Sequence, residues 1–483
     1  MIQFRPVINI IGFLLVLEGL LMLPGLAFSF YYDDNDIIPI LICGIGISII
    51  GYLLWFFTKT ENFIEIKKRE GYLIVALGWI IMSLFGSLPF MLHGSIPNFI
   101  DAFFETASGF TTTGASILTN IEALPHGLLF WRSMTHWIGG MGIIVLSLAI
   151  LPLLGIGGMQ LYVAEVAGPT KDKLHPRVKE TAKRLWAIYV LLTLVETVLL
   201  MFGGMNFFDS LCHSFGTIAT GGFSTKNASV AYYQSAYIDY VIIIFMFLSG
   251  TNFSLHYFAL HGKIKSYWKD EEFKFYLFFI LIVVLGIGLY LNFYSSSSFE
   301  ESIRKSAFSV ISILSSTGFV TSDYEQWGYF MGMIFLVLLL MGACAGSTSG
   351  GIKMVRHYLL LKNSFYELRR LIHPNAIIPV RYNKKSVTQD IISKISAFTL
   401  LYFFIFAAGS IIMAISGLEL PSAMGAVAAC LGNIGPGLGS TGPATTFANV
   451  SDFGKVFLSF IMILGRLELF TMLIIFSPAF WRK

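Results

Sequence analysis

Four short stretches of the chain each contain a glycine, which in three of them directly follows small or polar residues, and these glycines recur roughly every 100 residues. The first two stretches align without a gap over residues 101–116 and 209–224. The third matches the first, with Ser-Thr-Gly in place of Thr-Thr-Gly, whereas the fourth is weaker. The core residues are Thr112, Thr113, Gly114, Thr220, Gly221, Gly222, Ser316, Thr317, Gly318, Asn433, Ile434 and Gly435.

Stretches of this kind can coordinate a dehydrated monovalent cation. Backbone carbonyl oxygens replace the water shell of the ion, and a ring of them forms a cation-selective filter. Glycine permits the dihedral angles that turn carbonyl groups inward, and serine and threonine hydroxyls add further oxygen ligands. We therefore predict that the core residues form such a filter. Because each stretch supplies only a short glycine element, we expect few carbonyl layers and weak discrimination between ions.

Each of the four groups of core residues follows a segment that is too short to span a bilayer, and we interpret this segment as a half-length helix. Such a helix and its polar loop cannot face lipid, because each unpaired backbone group would cost several kcal/mol there. Four loops can meet this condition together by facing one axis, where the C-terminal ends of the helices would favour a cation. Asp101 and Asp209 are predicted to cap the first two helices. The alternative is four external loops with amphipathic helices.

The segments between these loops have the composition of a membrane protein. Of 483 residues, 55% are apolar and 12% are charged, against roughly 25% charged in soluble domains. Apolar runs near the length needed to cross a hydrocarbon core of about 30 Å occur at residues 7–30, 38–57, 72–92, 127–151, 185–202, 237–260, 273–291, 330–341, 391–415 and 456–476. We predict an all-α integral membrane fold, with two N-terminal transmembrane helices and four helix–pore loop–helix repeats around a central pore.

Basic residues concentrate in alternate loops between these runs, although the net charge is only +4. The preference of basic loops for the cytoplasmic side places these loops and both termini in the cytoplasm. We interpret them as topology signals, and we expect no nucleic-acid partner. The four cysteines lack disulfide-type or metal-type spacing. Since the sequence also contains no convincing catalytic constellation, we predict that the protein is not an enzyme.

Small residues interrupt the second long segment of the third repeat at residues 342–351. Glycine costs about 1 kcal/mol per position in a helix, and unwound backbone at membrane depth requires a cavity or protein around it. The alternative is a small-residue contact between helices. Arg466 lies in the last apolar run, where an arginine is a functional-site candidate. Two roles that do not exclude each other are open to it: repelling cations in the pore, and binding Glu468 or loop carbonyls.

These motifs together resemble the Trk-type potassium uptake proteins, which form a superfamily with the KtrB proteins. The resemblance covers essentially the whole chain. The motifs are FTTTGAS at 110–116, GGMG at 139–142, ATGGFS at 219–224, GSTSGG at 346–351, NIGPG at 433–437 and GRLE at 465–468. The fourth copy lacks the Thr-Gly pair, so we expect approximate fourfold geometry with unequal ligands.

The resemblance implies that the interrupted segment is an intramembrane loop below the filter that closes the pore, and it favours a pore-facing role for Arg466. Lys353 either adds to that barrier or begins the cytoplasmic end of the segment. The gate residues predicted in this way are Gly342, Gly346, Ser347, Gly350, Gly351, Lys353 and Arg466. The predicted units are the two N-terminal helices at 1–70 and pore units at 71–182, 183–272, 273–390, with the gating loop, and 391–483.

The resemblance also implies a cargo and partners. The transported ion would be potassium, and no organic cofactor is expected. The protein would be a lipid-embedded homodimer in a bacterial inner membrane, working with a cytosolic nucleotide-binding regulatory subunit of the TrkA type. The sequence leaves open which nucleotide acts and whether protons or sodium are coupled to transport.

An ion-coupled secondary transporter for a small solute is the main alternative. Such transporters also use internal repeats and broken helices near the membrane midplane, often with inverted topology. Here an even number of crossings separates successive repeats, so that all four run in one orientation. This orientation favours a pore.

Overall fold

The computed structural model describes residues 2–59, 67–149, 174–294 and 297–482. Within them, six helical segments are long and apolar enough to cross a membrane, or up to eight if two sharply bent helix pairs each count as one. The six are Phe4–Tyr32, Ile37–Thr58, Lys68–His93, Thr181–Phe202, Glu271–Tyr294 and Gln389–Ile415.

The two N-terminal spans form an antiparallel pair. The first contains the helices Phe4–Met22 and Gly25–Tyr32, and the second is Ile37–Thr58. Glycines on the facing sides bring the two backbones close together, since a Cβ atom on Gly12 would lie 2.8 Å from the carbonyl oxygen of Gly51. Such close approach of backbones is the usual basis of helix association in lipid.

The rest of the described chain repeats one pattern four times: a long helix, a short helix and a second long segment. The first helices are Lys68–Gly86 (continued by Leu88–His93), Leu174–Phe202, Glu271–Tyr294 and Gln389–Ile415. The short helices, numbered 1 to 4 below, are Phe99–Phe110, Phe207–Ile218, Phe299–Leu314 and Leu420–Gly432. The second segments are His126–Ala149, Ala236–Ser249 with Phe253–Leu260, Tyr329–Leu339 with Met354–Ile372, and Asp452–Arg466 with Phe470–Phe476.

Small elements connect these helices. Arg381–Tyr382 and Lys385–Ser386 form an antiparallel two-stranded hairpin, whose turn residues Asn383 and Lys384 both have positive φ angles. The remaining helices are short, at Lys265–Lys269 and Pro478–Trp481. Single 3-10 turns occur at Ser229–Tyr233, Tyr324–Trp327, Gly439–Thr441 and Phe447–Asn449.

Three of the four second segments are broken, although the sequence predicts only one break. The predicted run 237–260 bends by 101° after Ser249, and the run 456–476 bends by 111° after Arg466. At the first bend, Asn252 starts a new helix by accepting a hydrogen bond from the N–H of Ser254 at 2.9 Å. At the second, Glu468 and Leu469 both have positive φ angles. The continuous helices predicted at these two positions are therefore wrong.

The predicted break in the third repeat is present, because the helix ends at Leu339 and resumes at Met354. In the first repeat, the helix His126–Ala149 is unbroken. The last two residues of the predicted run 127–151 lie outside the described residues.

The predicted caps of short helices 1 and 2 are wrong by three residues. Asn98 accepts a hydrogen bond from the N–H of Ile100 at 2.8 Å, and Asn206 accepts one from the N–H of Asp209 at 2.7 Å. Asp101 and Asp209 lie instead in the first helical turn. There a carboxylate still interacts favourably with the positive N-terminal end of the helix.

The hydrophobic core of the protein surrounds the short helices, and the apolar surface of the long helices faces outward. Short helix 4 is buried from Ser422 to Gly432 except at Met424. The exposed large side chains include Phe13, Phe278 and Phe404, which are 57%, 65% and 69% exposed. Exposed phenylalanines on spanning helices suit a lipid environment, because apolar segments of this length match the bilayer core.

Candidate functional site

The four short helices end in the same backbone conformation. A residue with a left-handed φ angle follows each helix end, two positions on at Thr112 (52°), Thr220 (56°) and Ser316 (58°) and one position on at Asn433 (53°). Two residues later a glycine is also left-handed, at Gly114 (81°), Gly222 (78°), Gly318 (80°) and Gly435 (97°). The residue between them donates its N–H five residues back in all four copies, over 2.8–2.9 Å. This bond is that of a Schellman helix end.

A threonine or serine in the left-handed region is strained. Glycine is the usual residue at this position of a Schellman end, and a β-branched residue there is an outlier. The strain is of order 1–3 kcal/mol per residue, and it occurs in loops 1 to 3. Sequence reasoning assigned the carbonyl turn to the glycines alone, because nothing in a Thr-Thr-Gly string marks the first threonine as left-handed.

The four loops, residues 112–116, 220–224, 316–320 and 433–437, meet in a closed ring. A Cβ atom on Gly114 would collide with the carbonyl oxygen of Gly221. The same collision relates Gly222 to Thr317 and Gly318 to Ile434. The ring closes where a Cβ on Gly435 would lie 2.9 Å from the carbonyl oxygen of Thr113. Each loop therefore abuts the next in the order 1, 2, 3, 4 and back to 1.

The ring is buried at its side chains and partly accessible at its glycines. The side chains of Thr112, Thr220, Ser316 and Asn433 are fully buried. Gly114, Gly222 and Gly318 remain partly exposed, whereas Gly435 is buried. The twelve core residues predicted from the sequence are thus brought together, with accessible backbone at three of the four glycines.

Side chains break the fourfold symmetry of the ring. In loop 1 the hydroxyls of Thr111 and Thr113 lie 2.7 Å apart, and in loop 3 Ser315 and Thr317 repeat this pair at 2.8 Å. Loops 2 and 4 carry Gly221 and Ile434 at the middle position, without a hydroxyl.

Asn433 connects loop 4 to loop 1. Its Nδ2 atom donates to Thr113 Oγ1 at 3.0 Å and to the carbonyl oxygen of Met462 at 2.9 Å. One amide side chain therefore holds two loops and the last long segment together. The ring is approximately fourfold in its backbone and unequal in its side chains.

The break in the third repeat, residues 340–353, lies against the ends of the short helices; we call it the intramembrane loop. The N–H of Gly350 donates to Ser316 Oγ at 2.7 Å. The hydroxyl of Thr348 donates to the carbonyl oxygen of Ile218, the last residue of short helix 2, at 3.0 Å. A Cβ on Gly350 would also collide with the carbonyl oxygen of Gly432. The loop therefore contacts short helices 2 and 4 and ring residue Ser316.

The two ends of the intramembrane loop are paired with each other. The N–H of Gly342 donates to Ile352 at 2.9 Å, and that of Met354 donates to Ala343 at 3.0 Å. Gly351, whose φ angle is 68°, stacks against Gly342 so closely that a Cβ would lie 3.1 Å from the Gly342 nitrogen. The loop is therefore a closed excursion from the helix axis.

The middle of the intramembrane loop packs against the bend in the second repeat. Gly346 has a φ angle of 73°, and its carbonyl accepts a hydrogen bond from the N–H of Phe253 at 3.1 Å. A Cβ on Gly346 would lie 2.9 Å from Asn252 Oδ1. Ser347 donates to the carbonyl oxygen of Cys344 at 2.6 Å, which tightens the turn.

Arg466 reaches the intramembrane loop from the last segment. Its Nη1 atom donates to the carbonyl oxygen of Thr348 at 2.8 Å, and Nη2 donates to Gly139 at 3.3 Å. Glu468 is paired with Arg356 at 2.5 Å. Of the partners considered from the sequence, the loop carbonyls are therefore those that Arg466 contacts. Lys353 donates to the carbonyl oxygen of Ser349 in the same loop.

Glu272 connects the intramembrane loop to the helix that follows it, and sequence reasoning missed this residue. Its Oε1 atom accepts hydrogen bonds from the N–H of Ala345 at 2.7 Å and of Val355 at 3.0 Å. The residue is 3% exposed. The sequence shows only a pair of glutamates at the start of an apolar run. Such a pair normally indicates the N-terminus of a helix and not a contact with a distant loop.

The donor set of the ring suits an alkali cation better than a transition metal. Over the residues that the structure describes, no cluster of three or more His, Cys, Asp or Glu side chains could hold a metal ion. Carbonyl and hydroxyl oxygens are the groups that the ring offers, and hard monovalent cations are bound by such oxygens in filters.

Comparisons with known proteins identify the family. A family profile described as "TrkH: Cation transport protein" matches residues 39–483. The "Trk system potassium uptake protein TrkH" of Escherichia coli K12 is 42% identical over 489 residues, covering all of both chains. The TrkG protein of the same strain is 36% identical and covers 99% of each chain. These relatives are named as uptake proteins and not as enzymes, in agreement with the prediction.

A solved structure has the same fold. The crystal structure of the potassium transporter TrkH from Vibrio parahaemolyticus superimposes with a TM-score of 0.91, at 38% identity and with all of both chains covered. This match confirms the predicted all-α membrane fold and the resemblance noted from the motifs. The chain belongs to the TrkH family of cation transport proteins.

Proposed function

We propose that this protein is the membrane-spanning, potassium-conducting subunit of an uptake system. Its relatives are named for potassium uptake. The observation that carries the proposal is the closed ring of four loops, in which each glycine abuts a carbonyl oxygen of the next loop. A ring of main-chain oxygens is the arrangement that replaces the hydration shell of a permeating cation.

The filter in this proposal consists of the twelve core residues. The middle residues Thr113, Gly221, Thr317 and Ile434 and the glycines that follow them supply carbonyl oxygens. In this proposal the left-handed conformations on both sides of each middle residue turn the carbonyl oxygens of the loop toward the ion. The short helices direct their C-terminal ends toward the ion, and the partial negative charge of those ends favours a cation.

The gate in this proposal is the intramembrane loop with Arg466 and Lys353. The loop is hydrogen-bonded to Ser316 of the ring through Gly350, which supports a role in obstructing an ion that leaves the filter. Arg466 is 3% exposed and bonded to Thr348 of the loop. A buried positive charge at that place raises the energy of a cation and holds the loop in position. Opening would require Arg466 and Ser316 to release the loop.

The wider assembly follows from the family. Relatives are named as parts of a Trk system, and we propose that this chain works with a cytosolic nucleotide-binding subunit of the TrkA type and forms a homodimer in a bacterial inner membrane. Both termini lie in the cytoplasm in this proposal. Each pore unit begins with its first long helix, at Lys68, Leu174, Glu271 and Gln389, which lie before the starts at 71, 183, 273 and 391 expected from the sequence. A solute transporter is disfavoured, because four loops of one orientation form the ring.

Rubidium flux into proteoliposomes tests the proposal. Purified protein should carry radioactive rubidium, and unlabelled potassium should compete more strongly than sodium. Empty liposomes and liposomes with heat-denatured protein are the controls. Uptake of an organic solute without rubidium flux would refute potassium conduction and favour the solute-transporter alternative.

A further inference from the structure

A second ring of hydrogen bonds surrounds the four loops, at the carbonyl group two residues beyond each glycine. In every case the donor belongs to the repeat that precedes the accepting loop around the ring. Two donors are backbone groups. The N–H of Phe447 donates to Ser116 at 2.8 Å, and the N–H of Ala231 donates to Val320 at 3.1 Å. We call the four bonds the collar.

The other two donors of the collar are side chains. Arg132 Nη1 donates to the carbonyl oxygen of Ser224 at 2.9 Å, and the hydroxyl of Tyr324 donates to that of Gly437 at 2.6 Å. The two lie on opposite sides of the ring, since they join repeat 1 to loop 2 and repeat 3 to loop 4. Equivalent carbonyls are thus satisfied by different chemical groups, which indicates that the position of the carbonyl is what the four repeats share.

Arg132 connects two neighbouring loops. Its Nε atom bonds Glu105 Oε1 at 2.7 Å, and the two side chains are 2% and 1% exposed. Glu105 also accepts from the Ser116 hydroxyl at 2.9 Å and from the N–H of Ile117 at 2.9 Å. The guanidinium carbon lies 3.6 Å from the centre of the Phe223 ring. Arg132 therefore holds loop 1 through Glu105 and loop 2 directly.

Tyr324 is equally constrained. It is 2% exposed, and its ring stacks on Phe335 with centres 4.1 Å apart and planes inclined by 10°. The next residue, Glu325, accepts a hydrogen bond from the N–H of Gly439 at 2.7 Å. Two consecutive side chains therefore bind loop 4 and its continuation from repeat 3.

We propose that Arg132 and Tyr324 are positioning residues that hold the filter ring at the width at which potassium is preferred over sodium. The inference rests on the proposed filter function. Preference among alkali cations depends on the spacing and stiffness of the coordinating oxygens. Each collar carbonyl lies two residues from a filter glycine, so loss of a collar bond lets that loop move relative to its neighbour. Both side chains lie outside the four loops of the ring.

Tyr324→Phe is the sharpest test, because it removes one hydroxyl and keeps the stacked ring. The measured quantity is the ratio of sodium to potassium concentrations that halve rubidium uptake in one preparation, which does not depend on how much protein has folded. We expect this ratio to fall roughly two- to tenfold, the effect of one hydrogen bond. Tyr402→Phe is the matched control, since the buried Tyr402 hydroxyl has no hydrogen-bond partner among the described residues.

Arg132→Lys is the second variant. It keeps the positive charge beside Glu105 but loses the guanidinium fork that reaches two partners at once. We expect the same fall in the ratio, and if this variant does not fold, Tyr324→Phe decides. Gly114→Ala tests the filter separately from the collar. The collar proposal is overturned if the ratio is unchanged in Tyr324→Phe, or if it changes equally in Tyr402→Phe. The filter proposal still stands in either case, provided that Gly114→Ala alters the ratio. If Gly114→Ala also leaves it unchanged, the proposed filter fails, and the collar with it.

Discussion

The backbone N–H of Gly350 donates a hydrogen bond to Ser316 Oγ at 2.7 Å, so the intramembrane loop is bonded directly to a residue of the third pore loop. Ser316 is left-handed, with a φ angle of 58°. The residue with this left-handed backbone is therefore also the one whose hydroxyl accepts a hydrogen bond from the intramembrane loop. In the proposed function, filter and gate share this residue.

Ser316→Ala should loosen the intramembrane loop. The variant removes a hydroxyl and leaves the buried Gly350 N–H without its acceptor, which costs about 1–3 kcal/mol. Basal rubidium leak in the absence of any activating partner should rise roughly five- to a hundredfold. Ser315→Ala is the matched control, because Ser315 bonds Thr317 and Ser312 and not the loop. Equal basal leak in the two variants would show that the Ser316 hydroxyl has no role in gating.

Arg466→Ala should raise the basal leak more than Ser316→Ala does. The variant removes the buried charge and its bonds to Thr348 and Gly139, and each hydrogen bond from a charged group is worth about 1.5–3 kcal/mol. Arg466→Lys keeps the charge and should leak less than the alanine variant. Electrical recording in planar bilayers measures both, with Arg482→Ala, an exposed arginine, as control. A leak in Arg466→Ala no greater than in wild type would remove Arg466 from the gate.

Gly114→Ala should impair potassium flux and selectivity. A Cβ atom at this position collides with the Gly221 carbonyl oxygen, so loops 1 and 2 must separate. Overpacking of this kind costs about 1–3 kcal/mol. Gly94→Ala is the control, because Gly94 has nearly the same φ angle, 79° against 81°, but open space around its Cβ position. Rubidium flux that falls equally in both variants would attribute the effect to backbone strain and not to the ring.

Glu272→Ala should destabilise the connection between the intramembrane loop and the helix that follows it. The variant removes the acceptor for the N–H groups of Ala345 and Val355, and we expect a loss of about 3 kcal/mol. Glu272→Gln keeps an acceptor oxygen at lower strength, and its loss should be about 1 kcal/mol. Thermal unfolding in detergent and basal leak measure the two effects. If the alanine and glutamine variants have the same thermal stability and the same basal leak, Glu272 does not hold the loop.

The membrane class and the fourfold repeat were readable from the sequence, because both are carried by short stretches of chain. The length of an apolar run reports the bilayer it must cross. Recurrence of Thr-Thr-Gly, Thr-Gly-Gly and Ser-Thr-Gly after half-length helices marked loops 1 to 3, and the small residues at 342–351 marked the break in the third repeat. Local composition was sufficient in each of these cases.

The bends at residues 250–252 and 467–469 were not predicted, although polar residues interrupt both apolar runs there, at Thr251 and Asn252 and at Arg466 and Glu468. The first is stabilised by Asn252 and by bonds to the intramembrane loop, among them Phe253 N–H to Gly346. These partners are nearly a hundred residues apart along the chain. A helix that is expected to be continuous from the length of its apolar run can break when a neighbouring segment satisfies the backbone groups that the break exposes.

The sequence by itself determined that four similar loops must share a protected place in a membrane, because unpaired backbone groups are too costly in lipid. Only the tertiary structure decided the order of the loops, the left-handed threonines and the partners of Arg132, Tyr324 and Glu272. Arg132 and Ser224 are 92 residues apart, and Tyr324 and Gly437 are 113 apart. Contacts over such separations depend on how the helices pack, and packing is a property of the whole chain rather than of any stretch within it.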